Sequence, residues 1–370
     1  MRVVYFLPKF NFFTEGLRGR TSHAHGFLSG LKANRINFLM VSGPGYGELY
    51  DATGVDNLVL MPRLISRVNM LWVAYSAIRL IRDRKINVND SVLVIRYATS
   101  ISYLTSFLIG LFWKGKSIYE INSIGYHQIK SNSAYVLNAV LAIEKRLIAA
   151  LDFALCVSEN ICRDLDSKDI QCFVVPNGSS LPAVQLRDIE RTCPRFIYLG
   201  GFQPYYDFRQ LFHCFLNAKI AIAELHVYGK VDMYMAEFPE FASCQSIRFM
   251  GSYDLTQLLS NDRLSRSDIF VLPNGRNKMA RIGSPTKLFE YLSFGSRIVY
   301  QDYGQASDIL GSMASAFPYH DDISLTRTLE FLAKQFYNEF CSPVTESEYR
   351  ATYTWEARVR SFRDYMAEKA

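Results

Sequence analysis

Short apolar runs of strand length alternate along this chain with longer, mixed stretches of helical length. Val3 to Leu7 is uninterruptedly apolar and stops at Pro8, the pattern of a strand covered on both faces. A polar loop, Asn11 to Arg20, leads into a helix predicted from about Thr21 to Asn34, and Asn37 to Ser42 supplies the second strand. Gly43-Pro44-Gly45-Tyr46-Gly47 turns the chain, and a long helical region follows, ending near Lys85. Then come a strand at Ser91 to Arg96, a helix at Ile101 to Trp113, a strand at Ser117 to Ile121, a helix at Ala134 to Ala150 and a strand at Asp152 to Val157. The polar, charged stretch Leu181 to Pro194 reads as a linker. Beyond it a second series begins at Arg195-Phe196-Ile197-Tyr198-Leu199-Gly200-Gly201 and runs through strands at Glu224 to Gly229, Ile247 to Gly251 and Asp268 to Leu272. Alternation of this kind predicts βαβ units and parallel sheets.

The most informative stretch runs from Gly283 to Gly295 and is followed at once by the strand-like Arg297-Ile298-Val299-Tyr300. It reads as a glycine that lets backbone approach a ligand, Ser284 as N-cap, Pro285 at the first helical position, two turns with an apolar face, and Gly295 as the stop. Thr286, Lys287 and Glu290 share one helical face by their spacing, and Leu288 and Leu292 share another that can pack inward. A helix N-terminus at Ser284 to Lys287 offers orphan N–H groups and the positive dipole end to a phosphate or diphosphate. Glu290 stands about one turn further on.

Composition narrows the class. The chain has 370 residues, 49% of them hydrophobic, which is enough for two domains with their own cores. The first apolar run is too short and too soon broken for a secretory signal, and Ile101 to Trp113 falls short of the ~20 residues of a spanning helix. Seven cysteines without a C-x-x-C pair point to free thiols in a reducing compartment, and no zinc spacing is present. Residues 1–185 hold 20 Lys+Arg against 13 Asp+Glu, and residues 186–370 hold 21 against 22, so the whole positive excess lies in the first half. Arg63, Arg67, Arg79, Arg82, Arg84 and Lys85 flank Met70-Leu71-Trp72-Val73-Ala74-Tyr75, and Lys114 and Lys116 follow Leu111-Phe112-Trp113. Two readings stay open: core helices with solvated basic ends, or peripheral contact with an anionic membrane. Nucleic acid is not a predicted partner, because no basic run interleaved with stacking aromatics accompanies the excess.

Ser284-Pro285-Thr286-Lys287-Leu288-Phe289-Glu290-Tyr291-Leu292 resembles the donor-binding helix of family 4-type glycosyltransferases, the large retaining group with the GT-B fold. Tyr119-Glu120-Ile121-Asn122, Ala154 to Glu159, Val175-Pro176-Asn177-Gly178, Phe196 to Gly201 and Thr354-Trp355-Glu356 resemble further segments of that family in the same order. The resemblance implies two Rossmann-like domains facing across a cleft, an acceptor-side domain at 1–185 and a nucleotide-sugar domain at 186–350, with a C-terminal helix at 351–370 crossing back to the first. It implies a nucleotide-diphospho-sugar donor held by Gly201, Lys230, Gly283, Ser284, Pro285, Thr286, Lys287 and Glu290, the last on the ribose, and neither metal nor further cofactor. Two departures stand out. A second glutamate of many members is replaced by Ile282, and an Arg/Lys pair that binds diphosphate is missing from Gly201 to Phe208. Lys287, with Arg281 or Lys278, is the expected source of compensating charge, while Glu120 and His127 are candidates to position the acceptor hydroxyl. The expected protein is a cytoplasmic sugar transferase acting on a glycan or polyprenyl-linked acceptor in surface polysaccharide synthesis, with contact at the cytoplasmic face of the inner membrane left open. A nucleotide-sugar 2-epimerase of the same architecture and an inactive scaffold subunit are the alternatives.

Overall fold

The apolar runs become two sets of parallel strands. The computed structural model describes all residues except 8–19, 43–57, 61–77, 80–81, 83–85, 97–112, 123–132, 166–167, 185, 203–204, 221 and 370. Two compact units emerge. The first comprises Met1–Gly178, Ile282–Ser284 and Trp355–Ala370, and the second comprises Ser179–Arg281 and Pro285–Thr354.

The first unit is built on β1 (Arg2–Phe6), β2 (Asn37–Ser42), β3 (Leu58–Leu60), β4 (Ser91–Arg96), β5 (Ser117–Ile121), β6 (Phe153–Cys156) and β7 (Cys172–Val174). They pair in parallel in the order β3-β2-β1-β4-β5-β6-β7. The second holds β8 (Arg195–Leu199), β9 (Glu224–Tyr228), β10 (Ile247–Gly251), β11 (Ile269–Leu272), β12 (Arg297–Gln301) and β13 (Ala316–Tyr319), ordered β10-β9-β8-β11-β12-β13. In each sheet the first strand lies inside, and the winding reverses beside it. That reversal opens a crevice at the carboxyl ends of β8 and β11, where doubly wound sheets take their ligands.

Three strands have no counterpart in the pattern reading. β3 and β7 are three residues long, too short to show a period, and β13 contains Pro318, tolerated because β13 is an edge strand. The helix expected at Ile101 to Trp113 lies, but for its last residue, outside the described residues, as does most of the region ending near Lys85. The stretch read as a linker belongs to the second unit: Leu186 is buried in its core and Leu181, Ala183 and Val184 pack against it.

In the first unit, the Trp355–Glu368 helix packs on the Arg20–Ala33 helix. Trp355, Val359, Phe362 and Met366 share a core with Phe27, Leu31 and the strand residues Val3, Tyr5, Val94, Leu155 and Phe173. Phe173 stacks on Tyr365 with ring centroids 4.1 Å apart. Gly26 and Gly30, one turn apart, make the close approach possible. A methyl group on Gly26 would lie inside the Trp355 indole, and one on Gly30 would stand 2.5 Å from the Trp355 carbonyl oxygen. Gly26→Ala gains about 1 kcal/mol of helix propensity but forces overpacking that costs about 1–3 kcal/mol. A lowered Tm is therefore expected; an unchanged or raised one would show that the two helices are not pressed together here.

Candidate functional site

β8 runs into Gly200-Gly201 beside the winding reversal, and the Thr286–Phe294 helix is fixed against that end. Leu288, Phe289, Tyr291 and Leu292 are buried under the sheet, and the Tyr291 hydroxyl accepts a hydrogen bond from the Leu199 N–H at 2.9 Å. Gly295 ends the helix in the left-handed conformation, φ 64°. The opposite helical face carries Lys287 and Glu290, as the spacing predicts. Lys287 Nζ donates to Glu290 Oε2 at 2.9 Å and to the Tyr253 hydroxyl at 3.2 Å. The two side chains are 18% and 24% exposed, so a ligand can reach both.

Gly200 lies directly against the lysine. A Cβ there would meet the Tyr198 hydroxyl at 2.7 Å and Lys287 Cε at 2.9 Å, so a larger residue would press on the lysine stem. The carbonyls of Gly200 and Gly201 accept from the Tyr234 and Tyr198 hydroxyls at 3.2 and 2.9 Å. Burial alone would lower the Lys287 pKa, but the Glu290 carboxylate and the Tyr253 hydroxyl raise it above its ordinary value. Lys287 therefore stays an ammonium throughout the working pH range. The arrangement is a fixed positive charge with a carboxylate beside it, at the carboxyl end of β8.

The remaining expected donor residues are placed as follows. Thr286 opens the helix and Pro285, not Ser284, is its N-cap, with extended backbone and no side-chain cap. Ser284 is turned to another use: its hydroxyl accepts from the Asn177 N–H at 2.9 Å and its carbonyl accepts from the Asn177 side chain. Gly283 and Ser284 thus belong with the first unit, where the Ser158 hydroxyl also donates to the Ile282 carbonyl at 2.6 Å. Lys230 is exposed and begins the Val231–Glu237 helix just after β9, the strand next to β8. Arg281 is half-buried and Lys278 exposed on the Lys278–Ile282 helix. His127 lies outside the described residues. Tyr253 was not singled out from the sequence, which marks it only as a tyrosine two residues beyond a strand-ending glycine.

Glu120 departs from the role expected of it. It is wholly buried, and both carboxylate oxygens are taken: Oε1 by His23 and by Arg96 Nη1 at 3.0 Å, Oε2 by the Tyr5 hydroxyl. Arg96 and Glu120 lie in register on β4 and β5, so their side chains leave the sheet on one face with opposite charge. His23 reaches on to Asn177 through its other ring nitrogen. Burial pushes the Glu120 pKa up, but Arg96, His23 and Tyr5 together bring it down to about 2. Burial, then the Arg96 charge, lowers that of His23. This is an internal brace, out of reach of an acceptor hydroxyl.

A concavity of about 510 Å³ in the second unit, lined by Arg191, Arg266, Tyr337 and Phe340 among others, includes neither Lys287 nor Glu290, so size alone does not mark the site. No helix among the described residues is long and apolar enough to cross a membrane.

No family model matches the chain, and no curated protein matches it in sequence. Solved structures do match. The chain is similar to the apo form of the lipopolysaccharide outer core galactosyltransferase WaaB, with a TM-score of 0.71 and 13% identity over 100% of both chains. It is similar to sucrose-phosphate synthase from Thermosynechococcus elongatus, with a TM-score of 0.71 and 12% identity over 99% of this chain and 98% of that one. A third likeness is to Anabaena HepE in complex with UDP and glucose, with a TM-score of 0.65 and 9% identity over 100% of both. Two parallel doubly wound sheets in sequence order, matched from end to end by such structures, give the chain the GT-B fold.

Proposed function

We propose that the protein is a glycosyltransferase that binds a nucleoside-diphosphate sugar at the Lys287–Glu290 face and passes the sugar to a glycan or lipid-linked acceptor, with retention of configuration. The observation that carries this reading is the Lys287–Glu290–Tyr253 cluster against Gly200 at the carboxyl end of β8. An entering diphosphate draws the ammonium towards itself, and Glu290, relieved of its partner, accepts two hydroxyl groups of a ribose diol. As the glycosidic C–O bond breaks, negative charge grows on the diphosphate, and a preformed ammonium lowers the energy of that state. HepE, which shares the fold, is solved with UDP and with UDP-glucose, which favours a nucleotide sugar as donor.

A thermal-shift screen against UDP, GDP, CMP, ADP and dTDP tests the reading. One nucleotide is expected to raise the Tm of the wild type; at 100 times Kd the gain is about 2.7 kcal/mol. Glu290→Ala, which removes a partly exposed side chain and leaves the core untouched, is expected to lose the shift for that nucleotide. Equal shifts in both proteins would remove Glu290 from the site.

A further inference from the structure

Cys156, Cys162 and Cys172 follow no sequence motif, yet the fold of the first unit brings them together. Their Sγ atoms all lie within 4.8 Å of one another. β6 and β7 pair with Ala154 opposite Cys172, so Ala154, Cys156 and Cys172 face one side of the sheet, and the small Ala154 leaves room between the sulfurs. Cys162 comes from the Glu159–Leu165 helix, which packs on both strands. All three thiols are free, Cys156 buried and the other two half-buried, so the group has a closed back and an accessible front.

We propose that these three sulfurs form a binding site for one soft, thiophilic divalent cation of the zinc and cadmium kind. Three sulfurs bound to one such ion at about 2.3 Å stand about 4 Å apart, so closure from the present spacing needs only small side-chain shifts. Soft thiolates select such ions over magnesium or calcium. Binding displaces the protons that the thiols hold, so affinity rises with pH. Lys145 lies near Cys172, and its charge would offset that of a tris-thiolate complex. The ion would join the edge strand β7, its neighbour β6 and their covering helix.

The test is a titration of the full-length protein, kept reduced with a phosphine, with Cd²⁺ alone, following sulfur-to-cadmium charge-transfer absorption and bound metal. One equivalent per chain with the absorption of three thiolates is expected, and the same Cd²⁺ should displace Zn²⁺ bound beforehand. Cys162→Ser and Cys172→Ser should each lower the absorption by about a third. Each should also weaken binding at least ~10-fold, the loss caused even by removing an outer-sphere partner. Circular dichroism of the two variants separates lost ligation from lost folding. The Cys193→Ser/Cys244→Ser/Cys341→Ser variant should bind as the wild type does. Absence of the absorption in the wild type, or its persistence at full strength in both single variants, overturns the proposal.

Discussion

Glu120→Ala is expected to cost about 3–5 kcal/mol of stability, because it removes the carboxylate that offsets the buried Arg96 charge and leaves Tyr5 and His23 facing a void. Against a total stability of about 5–15 kcal/mol, that loss brings the first unit close to unfolding at ambient temperature. The double variant Arg96→Met/Glu120→Leu should recover much of it, since an apolar pair of similar volume leaves no uncompensated charge. The pH dependence has a fixed sign. The folded-state pKa of Glu120 is depressed to about 2 from its ordinary 4.5, so its contribution is fully present above pH 4.5 and is lost as pH falls towards 2. His23, also depressed by burial, adds a loss in the same direction below its ordinary 6.5. Urea unfolding at pH 7 measures the first effect. The slope of stability between pH 4.5 and 2 measures the second, and it should be shallower in the double variant. A loss under ~1 kcal/mol in Glu120→Ala would show that Arg96 finds other partners.

Much of this architecture is legible in the residues. Val3 to Leu7, Val92 to Ile95 and Phe196 to Leu199 are continuous apolar runs, the pattern of a buried parallel strand. The Lys287–Glu290 pair follows from helical spacing, and Gly295 from the need for a left-handed stop. What escaped the sequence was set by three-dimensional register. The Arg96–Glu120 pairing depends on which strands become neighbours, and two charged residues at the ends of apolar runs do not say so. The thiol trio is likewise a product of β6 meeting β7. Ser284 looked like a cap because Ser-Pro before an apolar run is a strong local signal; the competing hydrogen bonds come from Asn177, more than a hundred residues away. The Asp321 side chain caps the Asp322–Lys334 helix by accepting from the Ser324 N–H at 2.7 Å, a role that its place in a polar stretch does not single out.

Lys287→Ala is expected to lower kcat/KM for sugar transfer by about 10²–10³, the usual loss when one preorganised group facing the developing charge is removed. The size of the effect follows from what surrounds the lysine. The loop after β8, where the resembling family keeps an Arg/Lys pair, is spent here on packing: Phe202 stacks on Phe208 and meets Tyr234 and Phe238 edge-on, and the Tyr205 carbonyl accepts from the Gly275 N–H at 2.8 Å. An aromatic cluster offers no charge to a diphosphate, so the ammonium against Gly200 has to carry more of that task. Removing it also leaves Glu290 as an unpaired carboxylate next to an incoming anion, so donor affinity falls along with turnover. Lys287→Arg should not restore activity fully, because the planar guanidinium is bulkier than the stem that now lies 2.9 Å from the Gly200 Cβ position. Tm should hold in both variants, because the side chain is partly exposed and its partner Glu290 remains within reach of water. Steady-state release of nucleoside diphosphate in the presence of acceptor reads the effect. An unchanged kcat/KM in Lys287→Ala would move the leaving-group charge to Arg281 or Lys230 and with it the assignment of the diphosphate site.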